Sequence, residues 1–153
     1  MNFAQSLNSE IAVADCQLSP EQLQQAAQSG FRSVLNLRSP QEEGMLPQEA
    51  SQAEAAGLTY VNIPVQPSDL SDNLTDQVLQ AMDDLPKPLL AHCKSGMRSG
   101  AMALMYLATR YDMTAEAALE TGQQNGFNCD AHPDMKQYFV HYINSHTDGD
   151  GTA

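Results

Sequence analysis

The sequence predicts one α/β domain built on a largely parallel central sheet flanked by helices. Three observations predict it. Short β-like runs alternate with helical patterns along most of the chain, and this alternation marks parallel strands joined by crossover helices. The chain has 153 residues, which suits one hydrophobic core and not two. No repeat or linker divides it. Residues 1–145 are therefore expected to form one domain, followed by HTDGDGTA (146–153) as a disordered tail.

The elements follow in order. EIAVAD (10–15) reads as a short strand. In SPEQLQQAAQSG, Ser19 is a good N-cap, Pro20 fits the first helical position and Gln22 completes a capping box. Gly30 ends that helix. SVLNL (33–37) is β-like, and RSPQEEGMLP is a loop broken by Pro and Gly. QEASQAEAAG (48–57) reads as a helix closed by Gly57, and LTYVNIPV (58–65) as the next strand. QPSDLSDN (66–73) is a loop, with Asp72 or Asn73 starting the next helix. In LTDQVLQAMDDL (74–85), Leu74, Val78, Leu79, Met82 and Leu85 recur at helical spacing. PLLAHC (88–93) is apolar and too short for a buried helix, so it reads as a strand. SGAMALMYLATR (99–110) is a very apolar, buried helix. Two further helices are expected near 114–124 and 133–145.

Composition excludes several functions. The net charge of −12 repels nucleic acid and anionic lipid, so neither is an expected partner. A positive site within such a chain must hold an anion by short-range contacts. Cys16, Cys93 and Cys129 are odd in number and widely spaced, unlike a disulfide framework or a zinc site. A reducing cytoplasm fits them best. MNFAQSLNSE lacks the basic start and apolar stretch of a signal peptide. No apolar run approaches the ~20 residues of a membrane helix. His132, His141 and His146 have no ligand spacing, so no metal site is expected. Cys16 or Cys129 would resolve a disulfide with Cys93 only if close to it in space.

HCKSGMRSG (92–100) concentrates two of the chain's seven basic residues beside a cysteine. It leaves the carboxyl end of a strand and enters a helix, the place where open α/β sheets bind ligands. A helix N-terminus offers unpaired N–H groups and partial positive charge. Ser95 and Gly96 are small enough for the backbone to curl into an anion-binding nest that also takes in Lys94 and Met97. Arg98 adds a planar fork that holds two oxygens at once. These surroundings favour thiolate over thiol at Cys93, which makes it a candidate nucleophile. Ser99 is placed to hydrogen-bond the sulfur as it leaves a covalent intermediate. The side chain of His92 points away from that of Cys93, because strand neighbours alternate. His92 is expected to orient the loop backbone through hydrogen bonds.

HCKSGMRS resembles the signature loop of the cysteine-dependent tyrosine and dual-specificity phosphatases. With SPEQLQQAAQSGFRSVLNLRSPQEE, EAAGLTYVNIPV and PLLAHCKSGMRSG, the chain from about residue 10 to 110 resembles the phosphatase-like domain of the bacterial beta-lactamase hydrolase-like family. The resemblance implies a tyrosine-phosphatase-like fold and hydrolysis of a phosphate monoester through a cysteinyl-phosphate intermediate. It also implies a small phosphate ester or phosphorylated protein as substrate, with no metal or organic cofactor.

One feature departs from the tyrosine phosphatases. They place five residues between cysteine and arginine, whereas Lys94, Ser95, Gly96 and Met97 are four. Rhodaneses carry a similar C-x-x-G-x-R-S loop whose cysteine bears a persulfide, so sulfur transfer on Cys93 is an alternative. Their upstream D-x-R and G-H-I segments are lacking here, where Asn36-Leu37-Arg38 stands instead. A non-catalytic phosphate-binding module is the third reading.

In the resembling phosphatases an upstream aspartate protonates the leaving group and then activates water. By order and spacing Asp69 is that residue, with Asp72 second. Arg38 is expected to pair with Glu42 or Glu43 rather than to extend the basic pocket. Met97, Met102 and Met105 read as pocket wall and core.

Overall fold

The computed structural model describes residues 4–14, 17–38, 48–65, 71–93, 97–125 and 133–146. Its elements are β1 (Ala4–Ser6), β2 (Ile11–Ala14), α1 (Pro20–Gln28), β3 (Ser33–Asn36), α2 (Glu49–Ala55), β4 (Thr59–Asn62), α3 (Asp72–Asp84), β5 (Leu89–His92), α4 (Met97–Arg110), α5 (Ala115–Gln124) and α6 (Pro133–His146). The strands form one sheet in the order β1-β2-β5-β3-β4. β2, β5, β3 and β4 are mutually parallel, and β1 alone is antiparallel.

β1 has no counterpart in the sequence reading. Its three residues are partly or fully exposed and carry no apolar alternation. It is held by the turn that follows, where the Asn8 side chain accepts from the backbone N–H of Glu10 and Ile11 at 2.8 and 2.9 Å.

The helix starts obey their local chemistry. Ser19 and Gln22 form the expected capping box around α1. α3 starts at Asp72, one of the two expected residues, and is capped by Ser71, while Thr114 caps α5. Gly30 and Gly57 follow α1 and α2 with φ of 103° and 93°, a conformation that L side chains rarely adopt. α4 begins at Met97, two residues before the expected start. α6 runs through His146, one residue into the expected tail, and residues 147–153 lie outside the described chain.

Alternation along β5 sorts the core into two layers. Leu89, Ala91 and Cys93 pack with residues of α3–α6, while Leu90 packs with Leu23, Ala26 and Ala53 of α1 and α2. α4 is buried nearly all round, from Ser99 to Ala108, which explains its uninterrupted apolar sequence. Phe139 of α6 is wholly buried in the same layer. Phe139→Ala is expected to lower unfolding stability by about 3–5 kcal/mol in a urea titration. A loss below about 1 kcal/mol would contradict this packing. No described helix is long and apolar enough to cross a membrane.

Candidate active site

Because four neighbouring strands are parallel, their carboxyl ends share one edge. His92, the last residue of β5, pairs with Ala14 of β2 on one side and Asn36 of β3 on the other. Cys93 therefore leaves the sheet from its middle strand. Four residues later α4 begins, which puts Arg98 and Ser99 in its first turn.

This short excursion brings three of the expected residues together. Ser99 is fully buried, and its hydroxyl donates to Cys93 Sγ over 3.4 Å. Cys93 is itself 1 % exposed. Arg98 is partly buried, and its Nη1 donates to the Val65 carbonyl at 2.8 Å. That bond ties the guanidinium to the segment that follows β4 and directly precedes residues 66–70, among them Asp69. Asp69, Lys94, Ser95 and Gly96 lie outside the described residues, as does the side chain of Met97. So do Cys16, Cys129 and His132.

Met102 and Met105 are buried core, as expected. With Met135 and Tyr138 of α6 and with Val65, they line an apolar cavity of about 10 Å³ against Arg98. It has room for roughly one water-sized sphere. Tyr138 reaches out of this wall to hydrogen-bond Thr75 at 2.7 Å and to donate to Asp72 at 3.1 Å. Burial is the main cause that pushes its phenol up to about 12. Asp72, the second candidate acid, is thus engaged at the start of α3.

The ring of His92 turns away from the face of Cys93, and residues 94–96, whose backbone it was expected to orient, lie outside the described residues. Nε2 lies 2.6 Å from Glu49 Oε2, and Nδ1 is buried without a hydrogen-bond partner among the described residues. The contact is tertiary: α2 packs on α1 and β4 on the sheet face that carries His92, and Glu49, at the first position of α2, meets the ring there.

Glu49 anchors a buried polar cluster that sequence reasoning missed. It accepts from His92 and from Gln17 Nε2, and the Tyr60 hydroxyl also bonds it. Tyr60 in turn accepts from Asn36 Nδ2 at 2.9 Å. Its phenol is pushed far up, first by burial and further by the Glu49 carboxylate. Arg38 Nη1 donates to Gln17 Oε1 at 2.8 Å. Arg38 is 2 % exposed, so it is an interior residue rather than a wall of an open basic pocket. Its expected partners, Glu42 and Glu43, lie outside the described residues. One sequence signal for Glu49 exists. It stands four residues before Ala53, the buried residue of α2, so it occupies the inward stripe of that helix. A carboxylate at the first turn is also favoured by the helix dipole.

The sequence model of the beta-lactamase hydrolase-like protein, phosphatase-like domain, matches residues 4–109. The chain belongs to this family. Among curated members, the beta-lactamase hydrolase-like protein of Agrobacterium fabrum (strain C58) is 34 % identical over 104 residues, 65 % of this chain and 24 % of that protein. The chain thus spans about a quarter of the length of the curated relatives it matches. Among solved structures, a DUF442 protein of Shewanella putrefaciens CN-32 superposes with a TM-score of 0.79 at 21 % identity, covering 94 % of this chain and 91 % of that one. P. aeruginosa TpbA, solved in complex with pTyr, gives 0.75 at 16 % identity, with 94 % and 88 % covered. Identities this low carry the fold alone, and the fold is tyrosine-phosphatase-like. In this phosphatase-like domain the matched region ends within α4. The Met135 and Tyr138 side chains beside Arg98 therefore come from a helix beyond the family match.

Proposed function

We propose that this domain hydrolyses phosphate monoesters through a cysteinyl-phosphate intermediate on Cys93. The observation that carries the reading is the Cys93–Ser99 contact at the mouth of the middle strand, with Arg98 on the same helical turn. Cys93 Sγ attacks phosphorus, and an S–P bond forms as the ester P–O bond breaks. Asp69 gives its proton to the departing oxygen. Arg98 and the backbone N–H groups of residues 94–98 hold the three equatorial oxygens, where charge builds up. In the second step the Asp69 carboxylate takes a proton from water as that water attacks phosphorus. The S–P bond then breaks, and the Ser99 hydroxyl stabilises the leaving thiolate. Neither a metal nor an organic cofactor is required.

The substrate is a small phosphate ester or a phosphorylated protein. Phosphotyrosine is the first candidate, because a structural neighbour was solved with pTyr. The test is release of phosphate from a simple aryl phosphate by the reduced chain, run beside thiosulfate treatment read by intact mass. Steady turnover with no sulfur gain supports the reading. A stable persulfide on Cys93 without phosphate release replaces it with sulfur transfer. Phosphate binding with neither reaction leaves a binding module.

A further inference from the structure

α6 supplies a wall of the site from outside the residues matched to the family. Met135 and Tyr138 share with Arg98 and Val65 the lining of an apolar cavity of about 10 Å³. Such a space takes roughly one water. The side chain it adjoins is the fork on which alignment of an anion depends. One arm of that fork is on the Val65 carbonyl at 2.8 Å.

The Tyr138 ring is anchored through its hydroxyl. The hydroxyl donates to Asp72 Oδ1 at 3.1 Å and lies 2.7 Å from Thr75 Oγ1. A phenol has one proton and Asp72 receives it, so Thr75 is the donor in the second bond. Burial helps to keep that proton in place, with the phenol pushed up to about 12. Thr75 is fully buried, and Asp72 starts α3. One turn further along α6, the Tyr142 hydroxyl donates to Asp76 of α3. α6 is therefore tied to α3 at two successive turns.

A gap beside a long side chain closes when its walls move into it. Methionine is a flexible wall that adapts its shape, which describes Met102, Met105 and Met135. The Tyr138 ring is the wall that hydrogen bonds keep in place.

We propose that Tyr138 is a positioning residue for Arg98: with its hydroxyl fixed on α3, its ring keeps the guanidinium in the plane set by the Val65 carbonyl. In its kinetic part this rests on the phosphatase reading.

Tyr138→Phe removes the anchor and keeps the ring. A misplacement of about 1 Å caused far from the chemistry can cost about 10²-fold. Here the bond to Val65 remains, so kcat for an aryl phosphate is expected to fall about tenfold. The double variant separates this role from a merely structural one. Changes that act through one group are not additive. Tyr138→Phe should therefore cost about tenfold in the wild type but less than about threefold in Arg98→Lys. A third measurement needs no turnover. A guanidinium held in one plane rotates slowly and gives separate ¹⁵Nη signals. Those of Arg98 are expected to be separate in the wild type and to merge in Y138F.

A folded Y138F within threefold of wild type in kcat overturns the proposal. So does a tenfold loss that persists in the Arg98→Lys background, since Tyr138 would then act elsewhere. Merged Nη signals in the wild type overturn it too, a result that stands even if Y138F fails to fold. If the wild type hydrolyses no aryl phosphate, the phosphatase reading fails by itself. The positioning role is then decided by the Nη signals of the wild type and Y138F.

Discussion

Cys93→Ser is expected to reduce aryl phosphate hydrolysis to background, a loss on the order of 10⁴–10⁶ in kcat, in a chain that still folds. The change replaces sulfur by oxygen at a buried position, so packing alters little. Chemistry alters greatly. A thiol near neutral pH supplies a thiolate in useful amount, whereas a serine hydroxyl needs an adjacent base. No described group serves as that base. Ser99 donates to the sulfur, and His92 lies on the other face of β5, bonded to Glu49. Inorganic phosphate binding is expected to survive in Cys93→Ser, because Arg98 and the backbone donors remain. The pair of measurements is decisive. Turnover that persists in Cys93→Ser above a hundredth of wild type removes Cys93 from the reaction. Phosphate binding lost along with turnover would place Cys93 in anion binding rather than in attack.

The parts of this protein that were legible in the sequence are those whose signal is local. Ser19, Pro20 and Gln22 mark the start of α1 by chemistry within four residues. The apolar run 99–110 announces a helix buried nearly all round, and PLLAHC a strand, which the structure places in the middle of the sheet. Cys93, Arg98 and Ser99 lie within one turn of chain, so their proximity needs no knowledge of the tertiary fold. β1 was invisible because its partner, β2, supplies the order and its own three residues carry none. Glu49 and His92 are 43 positions apart. Only the packing of α2 on the sheet face opposite Cys93 brings them into contact. The sequence placed His92 on that face correctly through strand alternation. It offered no means of naming the Glu49 carboxylate that meets the ring there. The same holds for Arg38, a cation at a strand end that tertiary packing buries, with Gln17 as one partner.

Arg98→Lys is expected to cost about 10²–10³-fold in kcat/KM for an aryl phosphate, although it keeps the charge. The reason lies in the fork. One arm, Nη1, is engaged by the Val65 carbonyl at 2.8 Å. That bond fixes the plane of the guanidinium relative to the end of β4. A lysine ammonium is a point charge on a flexible stem, so it holds either Val65 or the anion and sets no plane. Charge alone would therefore preserve weak phosphate binding while the transition state loses its aligned donors. This separates two roles of Arg98. If Arg98 serves only to attract anions, Arg98→Lys should stay within about threefold of wild type in kcat/KM, and the proposed fork is wrong. If it aligns the phosphoryl group, kcat/KM falls as stated while phosphate affinity changes less. The Val65 bond adds a second consequence, because Val65 leads into the loop carrying Asp69. Losing it should penalise poor leaving groups, which need the acid, more than aryl ones. A larger rate loss for an alkyl than for an aryl phosphate in Arg98→Lys would show that this arginine couples the anion cradle to the acid loop.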